Sequence, residues 1–309
     1  MKQKRIYFFI LTLLIALLSS KAIYALNNNV GNAGMQVLKI GIGARSAAMA
    51  GAYSAVADDA TSIYHNPAGL REIECAEISV QHLIYFEDIQ YANLSLAKTF
   101  NFGTLGFSFS YLWMDELDGL ETEYDTVRKF KADNSVVTLA YSNQFKKYSY
   151  GAALKVISTN IDETDALGIA TDIAIKRRLF DKLKLVLVLQ NLGPDYKFDG
   201  NDTGEVGEKL PRNIKTGIAY FTDNINIALD LNMPNDNDVN FNFGVEYIIV
   251  INNVIIPIRA GYKSLNSFDL IDGLSAGLGL TYNKITVDFA WSPYGELGDT
   301  YMASVLFKL

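Results

Sequence analysis

Few residues of this chain are of types that do chemistry, and their spacing decides what they can do. Gly273-Leu-Ser-Ala-Gly277 matches the G-x-S-x-G pattern of serine esterases. That chemistry needs a strand–turn–helix elbow to expose the hydroxyl and a histidine to take its proton. Ser275 lies instead inside a run of alternating apolar and polar residues with no helical pattern after it, so no catalytic residue is expected. Asp58 and Asp59 are adjacent carboxylates that could form an acid/base pair or hold a cation. Their place just before Thr61 suits the free N–H groups at a helix start, and capping is the expected role. Arg45 is then available to pair with one of them or with a carboxylate elsewhere. His65, followed by Asn66, Pro67 and Ala68, is expected as a hydrogen-bonded interior residue rather than a ligand. Asp199-Gly-Asn-Asp-Thr-Gly204 begins like a calcium loop, but Leu210 stands where the bidentate Glu belongs. The acids Asp115, Glu116, Asp118, Glu121, Glu123 and Asp125 read as a solvated loop. With one cysteine, Cys75, and two histidines, His65 and His82, no disulfide, metal centre or cofactor is expected.

The elements that would position these residues begin with an export signal. Lys2, Lys4 and Arg5 precede thirteen apolar residues, Ile6 to Leu18, followed by small and polar ones. This is the order of a secretory signal peptide, with cleavage expected after Ala25 or Ala22, and the run is short for a membrane span. Removing residues 1–25 takes away Lys2, Lys4, Arg5 and Lys21 and moves the net charge from −7 to about −11. A chain this acidic is not expected to bind nucleic acid.

From Gly41 to Leu70 the chain is apolar yet fits neither a strand nor a span. Ala44, Ala47, Ala48, Gly51, Ala52 and Ala55 recur at steps of three and four, the period of a helix face that packs closely on another surface. A second short helix is expected from Asp59 or Thr61 until Pro67 stops it. Neither can bury itself.

After residue 72 almost every segment alternates at period two. Val239, Phe241, Phe243, Val245 and Tyr247 oppose Asn240, Asn242, Gly244 and Glu246. Ile169, Thr171, Ile173 and Ile175 oppose Ala170, Asp172, Ala174 and Lys176, and Ile285, Val287, Phe289 and Trp291 oppose Lys284, Thr286, Asp288 and Ala290. Segmentation predicts fourteen strands, mostly long enough to cross a bilayer at a tilt. Short turns near 101–102, 146–148, 178–181, 223, 250–253 and 282–283 alternate with longer polar loops at 113–133, 159–166, 191–210, 233–238, 264–270 and 292–298. Porin-like barrels sort their loops this way, with tight turns and both chain ends on one side. The fold class expected is therefore an all-β membrane protein, a 14-stranded antiparallel transmembrane β-barrel. Its lumen needs filling by water, loops or the N-terminal segment. Pro257, inside a strand, is expected to mark a wall bulge or a local opening.

The motifs Gly43-Ala-Arg45, Met49-Ala-Gly-Ala-Tyr53, Ala57-Asp-Asp-Ala60 and Asn66-Pro-Ala-Gly-Leu70 resemble the PorV/PorQ family of outer-membrane proteins. Gln190-Asn-Leu-Gly-Pro194, Leu210-Pro-Arg-Asn213 and Arg259-Ala-Gly-Tyr-Lys263 extend the likeness over nearly the whole chain after the signal. The relation to FadL-like hydrophobic-compound transporters is more distant. Ala50 departs from the usual Gly, and His65 from a more usual aromatic. The resemblance implies a division into a signal peptide (1–25), an N-terminal helical hatch or plug in the lumen (26–72) and the barrel (73–309). Arg45, Asp58, Asp59, His65, Asn66, Pro67 and Ala68 then belong to the hatch. It implies either passage of small hydrophobic molecules across the bacterial outer membrane or a type IX secretion role with secreted-protein partners. Outer-membrane lipids and a hydrophobic lumen ligand are the other partners it implies, and the final strand, Tyr301 to Leu309, alternates to an apolar last residue and so resembles the C-terminal signal read by the barrel-assembly machinery.

Overall fold

The computed structural model describes residues 30–119, 128–162, 164–199, 207–264 and 270–309. The expected signal peptide, residues 26–29, the acids Glu121, Glu123 and Asp125, and residues 200–204 lie outside the described residues. The strands are β1 (Ala76–Ile84), β2 (Gln90–Phe100), β3 (Gly103–Trp113), β4 (Leu117–Gly119), β5 (Arg128–Phe130), β6 (Ala132–Phe145), β7 (Tyr148–Ile161), β8 (Thr164–Phe180), β9 (Leu183–Leu192), β10 (Asn213–Phe221), β11 (Ile225–Pro234), β12 (Asn240–Ile251), β13 (Val254–Lys263), β14 (Leu274–Tyr282), β15 (Ile285–Pro293) and β16 (Asp299–Lys308). All but β4 and β5 form one closed antiparallel barrel of fourteen strands, sealed where β1 pairs with β16, Glu77 opposite Lys308 and Ile84 opposite Tyr301.

The alternation of residue type is an alternation of environment. Leu139, Leu154, Ile173 and Leu278 point outward and are about half exposed, while their chain neighbours Thr138, Lys155 and Asp172 are buried. An apolar band of this extent suits lipid rather than water, and the fold is that of a transmembrane barrel.

Two hairpins differ from the sequence expectation. The loop expected at 159–166 is largely strand, since β7 and β8 continue to Ile161 and Thr164 with Asn160 opposite Asp165. The residues there are polar, but a ladder rising beyond the bilayer needs no apolar face. The 113–133 loop carries the small β4–β5 sheet, and Arg128 ties it to Asp162 of the neighbouring hairpin.

Pro257 is a correction. Its pairing to β12 is continuous, Ile248 opposite Pro257, and on the β14 side the register is the same before and after it, Ile255 with Thr281 and Ile258 with Leu278. No bulge forms. The missing N–H leaves a two-residue gap in that ladder at Ile256 and Pro257. Register shifts fall instead in β8–β9, between Thr171 and Ile173 and between Arg178 and Phe180.

The N-terminal segment runs inside this wall. Its first described residues lie at the long-loop end, where Gly31 N–H donates to Asp236 and Gly34 N–H to Lys209, rather than at the short-turn end expected for a barrel terminus. It reaches β1 at the short-turn end. The helix expected across 44–55 stops after Ala44–Ala48, because Ala50 and Gly51 adopt the left-handed region at φ 53° and 76°. The second helical turn is Ser62–His65, ended by Asn66 and Pro67 as expected. Tyr53, Val56, Ile63 and Leu70 are completely buried, each stabilising the docked segment by roughly 1.5–3 kcal/mol. Wall glycines permit the close approach. A Cβ on Gly151 would collide with the backbone of Pro67 and Ala68, and one on Gly261 with Met49 and Ala50.

Candidate functional site

Charged side chains tie the segment to the wall. Arg45 donates from Nε and Nη2 to both oxygens of Glu246 on β12, each at 2.9 Å, and from Nη1 to Asp58 at 2.7 Å. Glu246 also accepts from Arg259 Nε at 2.6 Å, and Arg259 Nη1 donates to Asp288 on β15 at 2.7 Å. The result is a row of alternating charge, Asp58–Arg45–Glu246–Arg259–Asp288, crossing from segment to wall. Glu72 repeats the arrangement with Lys176 at 2.9 Å and Lys184 at 2.5 Å, and Lys176 also donates to the Ala57 carbonyl at 2.8 Å. Asp230 accepts from Ser54 N–H at 2.9 Å and from its hydroxyl at 2.7 Å. Buried charges persist where such partners compensate their lost hydration.

Asp58 does not cap the second helical turn. Burial pushes its carboxyl up, but Arg45, with Lys184 and Lys176, overrides burial and holds it below the ordinary value. Asp59 does serve the helix start, accepting the N–H of Thr61 at 2.8 Å and its hydroxyl at 2.5 Å. Asn66 accepts the Ala68 N–H at 3.1 Å and donates to the Ser54 carbonyl at 2.8 Å. These bonds hold the Asn66-Pro67-Ala68 turn within the segment, and Gly151 of β7 lies against its backbone.

His65 donates from Nε2 to the Ile42 carbonyl at 2.6 Å, with Tyr53 and Tyr64 edge-on to its ring. Burial first, then the charge of Lys215, lowers its pKa from 6.5 to about 3. The unfolded chain therefore takes up the proton first. His65 lends stability fully present above pH 6.5 that is lost as pH falls toward 3. A His65→Gln variant is expected to flatten this dependence, read as the difference in unfolding temperature between about pH 7 and about pH 5; an unchanged slope would assign it to other groups.

On the long-loop side of the segment lies a cavity of about 890 Å³, within the range of small-molecule sites. One wall is apolar, built by Val37 and Leu38 of the segment with Leu83, Leu112, Ala290 and Met302 of the barrel. Tyr85, Phe86 and Tyr294 cluster at its rim, with ring centroids 4.0 to 5.7 Å apart. The opposite wall is amide-rich. Asn213 donates to Gln190 at 3.1 Å and Asn232 to Asn240 at 3.1 Å. Lys215, 8% exposed, lines this wall and makes no ion pair among the described residues.

Ser275 is the second residue of β14 and donates to the Ala48 carbonyl at 3.1 Å. Among the described residues no three His, Cys, Asp or Glu side chains gather as a metal site.

The sequence reading singled out the segment's half of these contacts and missed the wall's half. Glu246, Asp230, Asp172 and Lys176 are legible in the sequence only as charged residues on faces opposite apolar ones, Arg259 only within its motif, and Lys155, 2.6 Å from Asp172, not at all. That parity was the available signal.

The model of an uncharacterised protein family, UPF0164, matches residues 15–156. No curated protein matches the chain in sequence. Among solved structures the chain is similar to the CymD monoaromatic hydrocarbon channel, at 14% identity and a TM-score of 0.59 over 87% of this chain and 98% of that one. The Pseudomonas putida toluene transporter TodX aligns at 12% identity and a TM-score of 0.59, over 86% and 97%. A Pseudomonas aeruginosa FadL homologue aligns at 11% identity and a TM-score of 0.52, over 85% and 97%. The barrel therefore has the fold of FadL-like channels.

Proposed function

We propose that this chain is an outer-membrane channel or carrier, not an enzyme, that binds small hydrophobic molecules in its lumen, with residues 26–72 as the hatch. The observation that carries this reading is the cavity of about 890 Å³ walled by Leu83, Leu112, Ala290 and Met302 directly against the segment. The fold shared with hydrocarbon channels supports it, and the signal-like N-terminus and the alternating final strand fit export and barrel assembly.

Toluene binding to the purified barrel is the direct test. Leu112→Asn puts an amide of the same branching and heavy-atom count into the apolar wall, and is expected to weaken toluene binding by about tenfold while the protein still shows the heat-modifiable migration of a folded barrel. Unchanged binding, or none in the parent, would overturn the proposal. The PorV/PorQ resemblance offers the other reading, a secretion partner. Cross-linking from the 114–131 and 193–212 loops that repeatedly captures one secreted protein would favour it.

A further inference from the structure

The short-turn rim is chemically lopsided. Over the arc β2–β9 it carries Lys98, Lys146, Lys147, Arg177, Arg178 and Lys182 against one acid, Asp181, all exposed. Over the rest of the circumference the turns 222–224, 252–253 and 283–284 bring only Asp223 and Lys284. Lys182 lies 3.8 Å from Asp223, but the other five cations of the arc have no carboxylate within ion-pair distance among the described residues. The opposite end of the barrel is acidic, with Asp115, Glu116, Asp195, Glu296 and Asp299 in or beside its loops.

The same arc concentrates aromatic rings that face out at the strand ends. Phe145 is 66% exposed, Phe180 62% and Phe102 58%, and Phe100 stacks on Phe102 at 5.3 Å. Three cations sit over such rings: Lys98 over Phe100 at 5.4 Å, Lys146 over Phe145 at 5.2 Å and Arg177 over Tyr148 at 5.0 Å. Exposed aromatics at the ends of lipid-facing strands mark the depth where hydrocarbon meets headgroup. A cation held on them stands at phosphate level, leaning toward lipid rather than toward the lumen. A merely solvated charge has no reason to gather on one arc, remain unpaired and rest on the aromatic girdle.

We propose that the β2–β9 arc of the short-turn rim is a binding patch for anionic phospholipids, the cations engaging the phosphate and the exposed rings flanking the acyl chains. It is independent of what the lumen carries. Cations near an anionic surface each contribute to attraction, and salt screens them.

The test uses the full barrel in mixed phosphatidylcholine and phosphatidylglycerol nanodiscs, with retained lipid identified by native mass spectrometry. The parent is expected to keep phosphatidylglycerol preferentially, and the triple variant Lys98→Gln, Lys146→Gln, Arg177→Gln to lose that preference by at least about tenfold. A control with the same charge change at the other rim, Lys129→Gln, Lys197→Gln, Lys209→Gln, is expected to keep it. Equal retention by the arc variant, equal loss by the control, or recovery of an acidic protein in place of the lipid would each overturn the proposal. Should the arc variant fail to fold, salt titration of the parent decides. A preference for phosphatidylglycerol that fades with salt supports the patch, and one indifferent to salt refutes it.

Discussion

A barrel carrying both Gly151→Val and Gly261→Val is expected to conduct ions where the parent conducts little. Each glycine faces the backbone of the internal segment, at Pro67–Ala68 and at Met49–Ala50, and leaves no room for a Cβ. A packed interior does not absorb three added carbons at two such places by small shifts. The wall is a closed hydrogen-bonded barrel, whereas the segment is made of four- to six-residue helical pieces and turns, so the segment is the part that yields. Fourteen strands enclose more space than their own side chains fill. Planar-bilayer recordings are therefore expected to show a conductance rise of at least about tenfold, with heat-modifiable migration retained. Parent-like conductance from a folded double variant would mean that the segment repacks without opening a path.

Glu246→Gln is expected to be the most destabilising single charge change in the lumen. The carboxylate is 1% exposed and receives both Arg45 and Arg259, the latter 4% exposed. Neutralising it leaves two guanidiniums facing each other with little water between them. Breaking a buried pair in this way costs about 3–5 kcal/mol, read as a lower midpoint for urea unfolding. Adding Arg45→Met removes one of the two facing cations and frees Asp58, which is partly exposed and can be hydrated. The double variant is expected to recover part of the loss, as coupled neighbours do. Additive losses would show that the row of charges is a set of independent pairs.

The extent to which the sequence revealed this site follows from the range of each interaction. Pro67 acts locally, and its stop to the second helical turn is legible in the sequence; Asp59, expected to cap that turn, accepts instead from the N–H and hydroxyl of Thr61 just ahead of it. Arg45 was recognised as needing a carboxylate, but Glu246 lies 201 residues away, and period two says only that it faces inward. Asp58 was assigned to a cap because local geometry allows one. A guanidinium delivered by the fold competed for the same oxygen and won, since a charge-assisted hydrogen bond is stronger than one from a neutral N–H. The small-residue stripe from Ala44 to Ala55 was read as one helix because its spacing is helical. Its real constraint is close packing on glycine-bearing strands, which also suits tight turns.

By itself the sequence determined how many strands close the barrel, which face of each strand meets lipid and which end holds the short turns. These are local properties: alternation has period two, and a strand that spans a bilayer has a set length. Only the tertiary structure decided which inward residues face one another, that the segment enters from the long-loop end, that β7 and β8 rise together beyond the bilayer, and that Pro257 interrupts a ladder without bulging it. Closing the barrel sets a register between strands far apart in sequence, and threading a segment through it sets contacts across the lumen. Neither leaves a period in the chain.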